Sequence, residues 1–103
     1  MGFQDEMKQM FLRVAAGDVE PVEWENWWNS NRLKLEETLT RGDRGRIMPA
    51  LWSANYYWMT KTQGGVAYYF HAQGRPVKTS GYYEEKAREE ENRDRQKAME
   101  VYH

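Results

Sequence analysis

The sequence predicts an all-α fold, a small bundle of about four helices. Apolar residues recur at spacings of three and four along three segments, which is the period of one helix face. Glycine and proline stand between these segments, where helices end and begin. A fourth, highly charged segment carries glutamates four residues before arginines, a pairing that stabilises helices. An α+β fold with a β-hairpin at about residues 56–71 is the alternative.

Composition limits both the size of the fold and the kinds of partner. The 103 residues suit one small domain over residues 1–103. Fifteen basic and sixteen acidic side chains leave a formal charge of −1, which argues against a polyelectrolyte binder. Only 15 residues are Leu, Ile, Val or Phe, so five Trp, seven Tyr and six Met must supply much of the core. The absence of cysteine excludes disulfides, Cys-based zinc sites and thiol catalysis.

Location follows from the lack of long apolar runs. No run approaches the roughly 20 residues that a membrane span needs. The N-terminal residues also lack the pattern of a cleavable signal peptide. We therefore expect a cytoplasmic protein without a membrane partner.

The first two helices are predicted on either side of a glycine and a proline. The first covers residues 3–16, and Gly17 suits the left-handed conformation that closes a helix. The second covers residues 21–40, with Pro21 in the first turn, where its missing N–H costs nothing. Its apolar face is formed by Trp24, Trp27, Trp28, Leu35 and Leu39.

The third helix is predicted at residues 48–73 and has a competing interpretation. Residues 41–46 before it are read as a loop, because two glycines and an aspartate interrupt the arginines. The helix is favoured by apolar residues at spacings of three and four from Leu51 to Phe70. Gly64 and Gly65 between two β-prone runs are the hairpin signal. The helix is preferred because two strands would not separate apolar from polar faces.

The fourth helix is predicted at residues 80–101. Its central part, residues 84–97, contains a single apolar residue, Ala87, among six acids and five bases. We expect this highly charged segment to be exposed to solvent. The helix then docks through its two ends or projects from the bundle.

No catalytic constellation is found in the sequence. The two histidines are His71 and the terminal His103, so a Ser/His/Asp set has no support. No metal-ligand spacing and no phosphate-binding glycine loop is present. The paired glutamates lie among basic neighbours and read as a solvated helix face. We therefore predict no enzymatic activity, no cofactor and no metal.

The aromatic residues offer the main candidate for an interface. Tyr57, Lys61, Gly64 and Tyr68 are spaced four, three and four apart, on the flank of the third helix away from its main apolar face. Such an amphipathic patch is typical of a protein interface or homodimer seam, although a helix buried on two sides would show the same pattern. Either case predicts that Gly64 tolerates bulk poorly. Trp27 lies at the edge of its stripe and is the fifth candidate.

The other tryptophans are assigned to the core. They are Trp24, Trp28, Trp52 and Trp58. In a chain with few aliphatic side chains, these rings are needed to fill the interior.

Arg41, Arg44 and Arg46 form the second candidate site. They precede a predicted helix start near Pro49, where backbone N–H groups favour anions. On this interpretation they would contact a phosphate or a nucleic acid, with Arg75 and Lys78 as additions. A solvated loop explains the same residues more simply, because no wider basic face accompanies them.

A polar pocket is the third candidate. Asn31 and Asn55 interrupt otherwise apolar helix faces, where they either fix the register between helices or line a small site. A ligand pocket would lie around Asn55 and His71.

The preferred hypothesis is a non-enzymatic intracellular interaction or regulatory module that acts through an aromatic surface, with a homodimer as one form. A small nucleic-acid-associated regulator that uses the arginine loop is the alternative. A small-ligand binder or enzyme ranks third.

Overall fold

A computed structural model describes residues 2–48 and 55–101, with side chains described up to residue 93. Within these residues the fold is all-α, and the hairpin alternative is wrong because residues 56–72 are helical. Six helices occur in the described ranges. They are α1 (Phe3–Ala15), α2 (Pro21–Ser30), α3 (Arg32–Thr38), α4 (Arg41–Ile47), α5 (Tyr56–Ala72) and α6 (Tyr82–Val101).

Helix α1 matches its predicted range closely. Met7, Phe11 and Val14, spaced four and three apart, are all fully buried. Gly17 follows with φ +78°, a backbone conformation that side chains with a Cβ rarely adopt. The N–H of Asp18 bonds back to the carbonyl of Arg13 at 2.9 Å, which closes the helix.

The single helix predicted at residues 21–40 is wrong, because it divides at Asn31 into α2 and α3. Asn31 leaves helical geometry with φ −115° and ψ 15°. Its side-chain amide donates to the carbonyl of Trp27 at 2.9 Å. Asparagine competes with the helical backbone in this way, so Asn31 ends one helix instead of setting register between two.

The loop predicted at residues 41–46 is also wrong, because these residues form α4. The Thr40 hydroxyl accepts the N–H of Asp43 at 3.1 Å and caps the helix start. Ile47, at the other end, is fully buried and anchors α4 to the core. A cap and one buried side chain therefore outweigh the two glycines within the helix.

Helix α5 is the centre of the molecule and packs against α1, α2, α4 and α6. It begins at Tyr56, not at residue 48, because the Asn55 side chain caps it by accepting the N–H of Trp58 at 3.0 Å. Met48 is extended, with ψ 131°. Leu51 and Trp52, predicted for the core, lie outside the described residues, as does Pro49.

Of the two adjacent glycines in α5, the second, Gly65, allows α4 to approach α5 closely. A Cβ on Gly65 would lie 2.8 Å from the Arg46 carbonyl carbon and 3.1 Å from a side-chain carbon of Ile47. A Cβ on Gly64 would meet no atom within 4 Å. Within the folded chain, Gly65 and not Gly64 therefore carries the constraint that a buried helix would impose. The intolerance of bulk that an interface would impose on Gly64 stays a prediction.

Polar side chains from α5 and α6 join the elements of the core. Gln63 is buried and its amide donates to the carbonyls of Val14 and Ala15, at 3.2 and 2.9 Å. These are carbonyls of the last turn of α1, which has no following helical N–H groups to satisfy them. Helix α6 is attached by Tyr83, which is fully buried.

Beyond Tyr83, the described side chains of α6 from residue 84 to residue 93 are exposed or half-buried. Glu84 and Arg88 form the predicted i, i+4 pair, with 3.9 Å between their charged groups. The molecule measures 57 × 26 × 22 Å, which is elongated for its length.

Candidate interaction surface

One flank of α5 is left uncovered by the part of the chain that the structure describes. Tyr57, Lys61, Gly64 and Tyr68 are all exposed there, the two tyrosines to 53% and 50%. The residues that share α5 but point to the core, such as Met59 and Val66, are buried. These four residues, here called the α5 stripe, are therefore surface and not a second core face.

The α5 stripe also carries a guanidinium from α4, which the sequence pattern does not place there. The Arg46 guanidinium lies 4.1 Å from the centre of the Tyr68 ring, a cation–π contact. Asp43 holds the same guanidinium by a bond of 2.9 Å. At the other end of the stripe, the Lys61 ammonium lies 5.6 Å from the centre of the Tyr57 ring. Each tyrosine therefore has one cation beside it.

Trp27 belongs to a different part of the surface. It is half-buried, and its ring stacks on Trp24 at 5.5 Å and on Phe3 at 6.2 Å between ring centres. It lines a shallow groove between α1 and α2 together with Met10 and Arg13. The structure thus confirms partial exposure of Trp27 without placing it in the α5 stripe.

Among the tryptophans assigned to the core, Trp24 and Trp28 are buried, as predicted. Trp58 is only half-buried and contacts Tyr57, with ring centres 5.4 Å apart. It therefore supports the stripe from beside it.

The three arginines of α4 do not share one face. Arg46 turns to the α5 stripe, while Arg41 and Arg44 line a groove between α2, α3 and α4. The groove, here called the α3–α4 groove, has a volume of about 180 Å³. It is lined by Trp28, Arg32, Leu35, Glu36, Arg41, Arg44, Gly45 and Met48. Arg32 was missed by sequence reasoning because its position depends on the break between α2 and α3.

The predicted pocket around Asn55 and His71 is wrong. Asn55 caps the start of α5 and His71 lies in its last turn, so the helical rise separates them by about 24 Å. His71 is exposed. Asn55 instead lines an open groove against α6 with Tyr57 and Arg88.

Two tyrosines with shifted pKa values lie outside the candidate surfaces. The Tyr83 hydroxyl donates to the Val19 carbonyl at 2.7 Å and accepts the Val19 N–H at 3.2 Å. Burial raises the pKa of Tyr83 to about 12. The Tyr56 hydroxyl donates to the Glu20 carboxylate at 2.5 Å, and this hydrogen bond raises the pKa of Tyr56. Both hydroxyls connect elements of the fold.

No group of three or more histidine or carboxylate side chains in the described ranges is placed to hold a metal ion. No helix within those ranges combines the length and apolar character needed to cross a bilayer.

Comparison with known proteins found no family model, no curated protein and no solved structure that matches this chain.

Proposed function

We propose that this protein is a non-enzymatic interaction module whose α5 stripe binds a second copy of the chain. The observation that carries the proposal is the exposure of Tyr57 and Tyr68, at 53% and 50%, on a helix whose other flanks pack against four helices. Tyrosine rings with an apolar body and a polar tip are typical of interface residues.

The spacing of the stripe favours a symmetric partner. Intervals of four, three and four read the same from either end. Two antiparallel copies related by a two-fold axis would place Tyr57 beside Tyr68 of the other copy, and Lys61 beside Gly64. That arrangement sets tyrosine against tyrosine and each lysine against a glycine of the other copy, which keeps the two lysines apart.

Gly64 supports close approach of two helices. It is exposed, and nothing lies within 4 Å of the position that its Cβ would occupy. The backbone is therefore open to a partner at the middle of the stripe. The stripe spans about 16 Å of one helix. A stable interface buries about 1,200 Å² or more, so we expect a weak, transient dimer with a Kd above about 1 µM.

The test is the double variant Tyr57→Ala with Tyr68→Ala, measured by sedimentation velocity over a concentration series. We expect the variant to stay monomeric at concentrations where the wild type dimerises, with an unchanged helical circular dichroism spectrum. Val22→Ala with Leu33→Ala, at exposed apolar positions outside the stripe, is the matched control and should dimerise like the wild type. A double stripe variant that unfolds would show that the tyrosines support the core, and one that dimerises normally would remove the stripe from the interface.

Nucleic-acid binding stays a prediction. It needs a continuous basic face, and α4 sends Arg46 away from Arg41 and Arg44. Binding of this kind would weaken steeply as the salt concentration rises.

A further inference from the structure

The α3–α4 groove combines an apolar floor with a basic rim. Trp28 and Leu35 form the floor and are almost completely buried, and Met48 is 46% exposed at its edge. Of the polar groups that line the groove, three are arginines and one is a carboxylate, Glu36. An occupant of this groove therefore needs an apolar part and negative charge.

The three arginines of the groove differ in whether they already form hydrogen bonds or ion pairs within the chain. Arg44 donates to the Glu36 carbonyl at 3.2 Å, and Arg32 lies 3.7 Å from the Glu36 carboxylate. None of the ion pairs or hydrogen bonds of the described side chains involves Arg41, which is exposed. The Arg41 guanidinium is thus free to bind a carboxylate through two parallel hydrogen bonds.

The size of the groove sets the kind of occupant. Its volume of about 180 Å³ is below the roughly 300 Å³ at which small-molecule pockets begin. A space of this size takes one large apolar side chain. The remaining recognition must then come from groups outside the groove, along the basic rim.

We propose that the α3–α4 groove binds an acidic peptide segment of a partner protein, with one leucine-like side chain on the Trp28–Leu35 floor and a carboxylate on Arg41. This surface is separate from the α5 stripe, since Arg46 is the arginine of α4 that faces Tyr68. The protein would then hold a second copy on one face and a short acidic segment on another.

The experiment uses a blocked nonapeptide of glutamates with one central leucine as the probe, titrated into the isotopically labelled full chain and followed by NMR. We expect chemical-shift changes at the Trp28 indole and the Met48 methyl group. Arg41→Glu should weaken the affinity about tenfold or more, because it removes a charged hydrogen bond and adds repulsion. Arg75→Glu, an exposed arginine outside the groove, is the matched control and should bind like the wild type.

Further arms make the outcome decisive. A peptide with serine in place of leucine should bind more weakly, and equal binding would overturn the role of the apolar floor. Equal losses in Arg41→Glu and Arg75→Glu would show non-specific attraction and overturn the site. Chemical-shift changes confined to other surfaces would also overturn the site. The same conclusion would follow if a single-stranded oligonucleotide that contacts the same arginines displaced a weakly bound peptide. The Tyr57→Ala, Tyr68→Ala variant should bind the peptide normally, so that failure of the dimer proposal is distinguishable.

Discussion

Tyr83 shows how one hydroxyl holds two distant parts of the chain together. Its hydroxyl forms two buried hydrogen bonds with the backbone of Val19, which lies 64 residues away in the sequence. Tyr83 lies at one of the two ends through which the last helix is predicted to dock. Periodicity indicates that a side chain faces inward, but it does not reveal which backbone group its polar atom will meet.

Replacement of Tyr83 by phenylalanine should therefore destabilise the fold. The change keeps the ring but leaves the buried N–H and carbonyl of Val19 without this partner, at a cost of about 1–3 kcal/mol in the free energy of unfolding. Urea denaturation followed by circular dichroism measures the difference. Tyr57→Phe is the control, since Tyr57 is exposed and should change stability by less than about 0.5 kcal/mol. Equal effects of the two changes would show that the Tyr83 hydroxyl does not form this connection.

Ionisation of the Tyr83 hydroxyl makes the free energy of unfolding depend on pH in the alkaline range. Burial raises the pKa of Tyr83 to about 12 in the folded chain, above its ordinary value of 10.0. The unfolded chain loses this proton first, so the contribution is complete below pH 10 and is lost as the pH rises through about 12. The difference in unfolding free energy between wild type and Tyr83→Phe should shrink over that window. A difference that stays constant from pH 9 to about 12 would contradict the assignment.

Helix α4 shows what helical periodicity can and cannot predict. The spacing of apolar residues predicted α1 and the helical state of α5, because each has enough inward side chains to define a face. It missed α4 and the break at Asn31, since a seven-residue helix depends on its cap and on Ile47 packing against α5. The same spacing placed the α5 stripe on one flank of the helix, but it left open whether that flank is exposed or buried. The Arg46 guanidinium on Tyr68 was not predictable, because that contact requires α4 to be helical.

The glycine pair in α5 tests the packing of α4 directly. Gly65→Ala should destabilise the fold by about 1–3 kcal/mol, because its Cβ would press on the Arg46 backbone and α4 would have to shift. Gly64→Ala, the matched control one position earlier, should raise stability by about 0.5–1 kcal/mol because alanine favours the helix and meets no neighbour. Thermal and urea denaturation of both variants provide the comparison. Equal effects would show that α4 does not approach α5 at Gly65.

The described residues are arranged around α5, with four of their helices against it and one flank that they leave open. Aromatic rings supply much of the core, from Phe11 and Trp24 in the first two helices to Tyr69 and Phe70 in α5. Tyr57 and Tyr68 are the large hydrophobic side chains of this helix that are exposed. A helix with this much buried surface would give the proposed interface a rigid backbone, because it cannot rearrange without disturbing the core.

The most direct test of self-association through the α5 stripe is light scattering behind a sizing column. It compares wild type with Gly64→Gln over one concentration series. Glutamine at this position has open space in the monomer and favours the helix, yet it would stand where a second copy must approach. We expect the wild-type mass to rise toward that of a dimer with concentration, while Gly64→Gln stays monomeric and melts at the same or a higher temperature. A wild type that remains monomeric throughout, or a Gly64→Gln variant that associates equally well, would contradict the stripe as a self-association surface.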